Sequence, residues 1–151
     1  MGPERSATAM TFTLPPGNAR LRSIVTDLDF LDDWDERYRY LIDLGRRLAP
    51  LPNEAYSDAN RVPGCASQVW LLMSRNADGS LSIKGDSDAL IVKGLVALVL
   101  AMFDGRPLAE VAGLDAAGFF AAIGLKDHLT SQRANGLASM VARIKAEAAK
   151  G

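Results

Sequence analysis

The sequence predicts an α+β domain in which a small antiparallel β-sheet packs against several helices. Three observations lead to this prediction: segments with helical periodicity lie at both ends of the chain, one β-hairpin pattern lies between them, and a long apolar segment follows the hairpin. Elements segregated in this way are typical of α+β domains rather than of doubly wound sheets. The chain has 151 residues, 48% of them hydrophobic, which suits one domain with a substantial core.

The first part of the chain is predicted to be a tail followed by two helices. Residues 1–20 lack apolar periodicity and contain a Pro-Pro-Gly sequence, so we expect a flexible tail there and a single domain over residues 21–151. A short helix is expected over residues 21–32. Asp33 is expected to cap a second, amphipathic helix over residues 34–48.

The middle of the chain is predicted to form a β-hairpin. Residues 66–74 alternate in polarity as a strand does, residues 76–79 (Asn-Ala-Asp-Gly) favour a tight connection, and residues 80–84 return as the second strand. We expect this strand to stop at Gly85, with residues 85–88 supplying a turn and a helix cap.

Helices are predicted to fill the rest of the chain. Residues 89–103 are apolar on nearly all sides, which indicates a central buried helix, and Gly94 would let a neighbouring helix approach closely. Short helices are expected over residues 108–112 and 116–123, and a last helix over residues 131–149. The predicted buried face of this last helix is formed by Leu137, Met140, Val141 and Ile144.

The charge balance excludes some classes of partner. The chain has 17 basic and 18 acidic residues and a net charge of -1. Nucleic-acid-binding domains usually show a basic surplus or stripe, and anionic membrane surfaces attract basic clusters, so we expect neither as a partner. The start of the chain lacks the apolar segment of a signal peptide, and residues 89–103 are too few to cross a bilayer. We therefore expect a cytoplasmic protein.

Cys65 is the only cysteine and His128 the only histidine. An intramolecular disulfide is impossible, and the usual donors for a zinc site or for an iron–sulfur cluster with four thiolates are too few. We therefore expect no metal and no cofactor of the chain's own. Cys65 is then either a buried structural thiol or a reactive one.

The residues before Cys65 favour its presentation at the tip of a loop. Residues 51–64 are polar and rich in turn formers, with a short edge strand expected near Arg61. Pro63 precedes Gly64, which can adopt a positive φ and turn the chain sharply. A bent loop ahead of a strand is a common support for a reactive group.

Three segments resemble, in order and spacing, the signature of the SufE/CsdE family of cysteine desulfuration proteins. They are residues 61–70 (RVPGCASQVW), 85–94 (GDSDALIVKG) and 128–137 (HLTSQRANGL). Two departures are visible: Ala66 stands where a larger polar residue is common, and Ser131 stands where the family usually has a proline.

This resemblance, which covers residues 28–145, implies a compact α+β fold similar to the IscU scaffold proteins. It also implies that a cysteine desulfurase of the SufS type passes persulfide sulfur to this chain, which stimulates the desulfurase and hands the sulfur to an iron–sulfur assembly scaffold. The family's essential cysteine falls on Cys65, and a family arginine falls on Arg133. Pyridoxal phosphate belongs to the partner, so the chain is expected to activate an enzyme rather than to be a self-contained one.

The expected roles of individual residues follow from this resemblance. Arg133 and Arg61 are candidates for cationic assistance to the Cys65 thiolate. We expect Cys65 to be partly sheltered in the isolated protein, with residues 60–65 moving when the partner docks. The residues expected at the partner surface are Arg61, Gly64, Asp86 and Asp88, of which the two aspartates could instead serve as turn and helix cap.

Two other functions stay open at this point. One is a thiol hydrolase that uses Cys65 with His128 as its base, which would also need an orienting group and an oxyanion site. The other is a non-catalytic binding module with a structural cysteine. A single cysteine argues against a cluster scaffold.

Overall fold

The computed structural model describes residues 19–65 and 67–150, and it confirms the α+β prediction. Two antiparallel strands pair in the middle of this part of the chain, and helices precede and follow them. The helices are α1 (Ala19–Phe30), α2 (Trp34–Arg46), α3 (Leu90–Phe103), α4 (Leu108–Gly113), α5 (Ala116–Ala122) and α6 (Ser131–Ala149). The strands are β1 (Val69–Arg75) and β2 (Leu81–Ser87), and short 3-10 turns lie at Asn53–Ala55 and Leu125–His128.

Helix α3 forms the centre of the core. Every residue from Gly94 to Phe103 is buried, as its apolar sequence predicts. Gly94 faces α2 so closely that a Cβ there would collide with the backbone of Leu41, and a Cβ on Gly45 would lie 2.6 Å from the Gly94 nitrogen. Two glycines thus let the backbones of α2 and α3 touch, which confirms the close approach predicted at Gly94.

The β-hairpin differs from the prediction at the end of β2. Gly85 does not stop the strand, because β2 continues to Ser87, which pairs with Val69. A Cβ on Gly85 would lie 2.8 Å from Val96 and 3.0 Å from Leu71. The glycine is therefore a place where α3 packs tightly on the sheet, and the prediction of a strand break there was wrong.

Several element boundaries also differ from the predicted ones. Helix α1 begins at Ala19, so two residues assigned to the tail belong to the helix, while residues 1–18 lie outside the described residues. Ala66, the predicted first residue of the first strand, also lies outside them, and β1 begins at Val69. The predicted division into tail and single domain stays a prediction.

Helix α6 covers one side of the core. Leu137, Met140 and Ile144 are buried as predicted, whereas Val141 is only half-buried. In the described part of the chain, no helix has both the length and the apolar character that crossing a membrane requires.

Candidate functional site around Cys65

Residues 59–65, here called the thiol loop, run alongside β1. The Val62 amide donates to the Val69 carbonyl at 2.8 Å, and the Leu71 amide donates to the Asn60 carbonyl at 2.9 Å. An isolated β-bridge between Arg61 and Trp70 lies between these bonds. The short edge strand expected near Arg61 is therefore present as a single bridge.

Gly64 turns the chain at the end of this bridge. Its φ is +89°, a region that favours glycine, so the predicted sharp turn is confirmed. A Cβ on Gly64 would also lie only 2.7 Å from Ser139 Oγ on α6. The backbone conformation therefore favours glycine immediately before Cys65, and a larger residue would also displace the Ser139 hydroxyl.

The Cys65 side chain is half-buried against α6. Its Sγ lies 3.6 Å from the Gly136 carbonyl oxygen, to which the thiol donates a hydrogen bond. The sulfur borders a cavity of about 220 Å³. Burial raises the pKa of the Cys65 thiol above its ordinary value. The other residues that line the cavity are Ser67, Val92, Leu95, Thr130, Gln132, Arg133, Gly136, Leu137 and Met140.

The two candidate arginines lie in different places. Arg133 is in the first turn of α6 and lines the cavity beside Cys65. Arg61 does not line it, and its Nη2 lies 4.0 Å from Asp58 Oδ1 at the exposed surface. Of the two, Arg133 therefore shares the cavity with the thiol. The pKa of Cys65 is raised by burial, which is opposite to what a close cation would produce.

Asp86 is held in a buried network rather than in a turn. Its Oδ2 accepts a hydrogen bond from Tyr56 Oη at 2.6 Å, and its Oδ1 lies 3.3 Å from Lys93 Nζ. The hydrogen bond to Asp86 raises the pKa of Tyr56. Asp86 thus ties the segment before the thiol loop to α3, and the predicted turn role was wrong because β2 extends through this residue. Its contact with a partner stays a prediction.

Asp88 is exposed and bonds to the backbone between Cys65 and β1. Its Oδ1 accepts from the Gln68 amide at 3.0 Å. The residue at the cap position of α3 is Ala89, which makes no side-chain cap, so the predicted helix cap at residues 85–88 was wrong. Partner contacts of Asp88, Arg61 and Gly64, all exposed, stay predictions.

His128 is engaged away from the thiol. Its ring stacks on Trp34 with centroids 4.0 Å apart, and its Nδ1 lies 2.9 Å from the Gly124 carbonyl oxygen. Tyr38 Oη donates to the His128 carbonyl. Because His128 does not line the cavity of Cys65, this arrangement provides no Cys–His pair of the kind a thiol hydrolase needs.

Arg143 is a residue of the site that the sequence reasoning missed. It donates to the carbonyl oxygens of Arg61 and Ala59 at the base of the thiol loop. Its position seven residues after Gly136 and four after Ser139 puts all three on one face of α6, and this spacing is the signal that could have revealed it.

Other parts of the described structure offer less chemistry. A larger groove of about 530 Å³ between α5 and α6 is lined mainly by apolar side chains and by no thiol or hydroxyl group. Lys145 at its edge donates to the carbonyls of Ala112 and Leu114, which fixes the end of α4. Among the described residues, no group of three or more His, Cys, Asp and Glu side chains is placed to hold a metal ion.

Comparisons with known proteins agree with the resemblance of the motifs. Residues 22–148 match the profile of the family described as "SufE: Fe-S metabolism associated domain". An uncharacterized SufE-like protein of Rhizobium etli is 53% identical over 133 residues, which cover 86% of this chain and 90% of the relative. An uncharacterized SufE-like protein of Rhizobium meliloti is 50% identical over 131 residues, which cover 85% of this chain and 94% of the relative.

A solved structure supports the fold independently. The solution structure of a hypothetical protein from Thermus thermophilus superposes with a TM-score of 0.72, covering 91% of this chain and 97% of that one. At 21% sequence identity, this likeness establishes a shared fold. The family match and the two relatives settle the family: the chain belongs to the SufE family, which is associated with iron–sulfur metabolism.

Proposed function

We propose that this protein accepts sulfur on Cys65 from a cysteine desulfurase, stimulates that enzyme, and passes the sulfur to an iron–sulfur assembly scaffold. The observation that supports it best is the position of the chain's only cysteine. Cys65 follows a positive-φ glycine, and its sulfur borders a cavity of about 220 Å³. A buried water needs only about 10–15 Å³ of such space, so there is room for one added sulfur atom.

The chemical step is an exchange at sulfur. The Cys65 thiolate attacks the terminal sulfur of the partner's cysteine persulfide, a new S–S bond forms at Cys65, and the partner's S–S bond breaks. The partner's cysteine leaves as a thiolate and takes up a proton. One persulfide is lost and one is gained, so no external oxidant or reductant is required. A desulfurase of the SufS type, as the family resemblance implies, would supply this sulfur from free cysteine with its own pyridoxal phosphate.

The resting position of Cys65 protects rather than activates the thiol. Its raised pKa leaves little thiolate at neutral pH, and its hydrogen bond to Gly136 favours the protonated form. Docking of the desulfurase would draw the thiol loop off α6, expose the sulfur to water and to the partner, and bring its pKa down. After transfer, return to the cavity would keep the persulfide from other thiols.

Of the two candidate arginines, Arg133 is the better placed to assist. It lines the cavity that Cys65 borders and carries a permanent positive charge. A persulfide anion on Cys65 would gain from that charge. Arg61, Gly64 and Asp88 lie at the exposed surface near the loop, where a docked partner would meet them.

Desulfurase turnover measures this function directly. Alanine release by a SufS-type desulfurase is followed with wild-type protein, with Cys65→Ser and with Arg133→Gln. We expect strong stimulation by wild type, none by Cys65→Ser and a reduced effect of Arg133→Gln. Equal stimulation by wild type and Cys65→Ser would refute acceptance at this cysteine and favour a binding module with a structural thiol.

A further inference from the structure

Arg143 joins helix α6 to the base of the thiol loop. Its Nη1 donates to the Arg61 carbonyl oxygen at 3.1 Å, and its Nη2 donates to the Ala59 carbonyl oxygen at 2.5 Å. A planar guanidinium can hold two carbonyls at fixed positions, which a single ammonium group cannot do in the same geometry. Because Arg143 shares a face of α6 with Gly136 and Ser139, this double contact fixes where the loop lies along the helix.

The thiol loop is attached differently on its two sides. Toward β1, it is held by backbone bonds from Val62 to Val69 and from Leu71 to Asn60, each shorter than 3 Å. Toward α6, the loop is held by the two charge-assisted hydrogen bonds that the Arg143 guanidinium donates to its carbonyl oxygens. The loop can therefore separate from α6 without breaking its backbone hydrogen bonds to β1.

We infer that Arg143 is a positioning residue that holds the thiol loop on α6 and so keeps Cys65 beside its cavity. Two weaker links to α6 among the described residues are the thiol hydrogen bond to Gly136, which has a weak donor, and the packing of Gly64 on Ser139. Loss of the Arg143 contacts lets the loop leave α6 and brings the sulfur to solvent. The inference rests on the proposed function, in which the released thiol is the nucleophile.

The rate at which iodoacetamide alkylates Cys65 in the full-length folded protein measures this release without any partner. Arg143→Gln removes the guanidinium. Arg75→Gln is the matched control, because Arg75 also crosses to α6, donating to the Glu147 carbonyl at 2.7 Å, but does not touch the thiol loop. We expect Arg143→Gln to speed alkylation by roughly tenfold, since two bonds to a charged donor are lost, and Arg75→Gln to leave it unchanged.

The urea midpoint of each variant is measured alongside, and Arg143→Lys replaces Arg143→Gln if the latter does not fold. Lysine should give an intermediate rate because it can keep one of the two contacts. Alkylation of Arg143→Gln at the wild-type rate, or an equal increase in Arg75→Gln, would overturn the inference. A wild-type protein that takes no sulfur from a desulfurase would refute the proposed function while leaving the alkylation result to decide the role of Arg143.

Discussion

The sulfur of Cys65 lies 3.6 Å from the carbonyl oxygen of Gly136, so the thiol donates to helix α6 in the isolated protein. A carbonyl oxygen accepts a hydrogen bond from a thiol but repels a thiolate. Burial acts in the same direction by raising the pKa of the thiol. The protein at rest therefore holds its nucleophile protonated. Reaction requires the Cys65 sulfur to move away from the Gly136 carbonyl and the thiol to lose its proton.

The raised pKa of Cys65 gives stability a pH dependence of known sign. A folded-state pKa above the unfolded one means that the native state holds the proton more tightly. This stabilisation is complete below the unfolded pKa of about 8.5 and is lost as pH rises through the folded pKa. We expect the free energy of unfolding of wild type, relative to Cys65→Ala, to fall above about pH 8.5. Urea unfolding from pH 7 upward measures it, and a constant difference would contradict the assigned environment.

Gly64 is predicted to be more sensitive to substitution than another glycine with similar φ. Gly79 has a φ of +84° with nothing within 4 Å of a Cβ, whereas a Cβ on Gly64 meets Ser139 Oγ. Gly79→Ala should cost about 1 kcal/mol through its backbone alone. Gly64→Ala should cost up to about 1 kcal/mol more, because the Ser139 hydroxyl must also move away from the new Cβ.

Removal of the Ser139 hydroxyl separates the two costs at Gly64. In a Ser139→Ala background the remaining contact of the new Cβ, with Ser139 Cβ, is an ordinary 3.6 Å. Gly64→Ala should then cost about as much as Gly79→Ala, as measured by urea unfolding. An unchanged cost would show that the close approach of the thiol loop to α6 is wrong.

Gly45 is predicted to tolerate no side chain. A Cβ there would lie 2.6 Å from the Gly94 nitrogen and 2.7 Å from the Lys93 carbonyl carbon, and these backbone atoms cannot move without separating α2 from α3. Gly45→Ala should destabilise the fold by about 3 kcal/mol. Gly113→Ala is the control, because nothing lies within 4 Å of its Cβ. Thermal unfolding that ranks both variants equally would contradict the packing described.

Much of the fold was predictable because it rests on local patterns. The amphipathic repeat of α2, the cap at Asp33 and the apolar sequence of α3 each specify a helix, and all three are confirmed. The turn after β1 was also predictable, since residues 76–79 favour a tight connection. The sharp turn at Gly64 was predictable because a glycine directly after a proline is a local turn signal.

What the sequence could not reveal depends on contacts between distant residues. Gly85 resembles a strand break locally, and only the packing of Val96 shows why β2 continues. His128 could serve as a base in sequence terms, but its stacking on Trp34 brings together residues far apart in the chain. The bonds from Arg143 to the thiol loop likewise span more than eighty positions.

The central claim, sulfur acceptance at Cys65, is tested most directly by intact-protein mass spectrometry. Wild type and Cys65→Ser are incubated with free cysteine and a SufS-type desulfurase whose turnover is verified in the same reaction. We expect that wild type gains the mass of one sulfur atom, that a thiol reductant removes it, and that Cys65→Ser gains nothing. An unchanged wild-type mass, or an equal gain in both proteins, would contradict it.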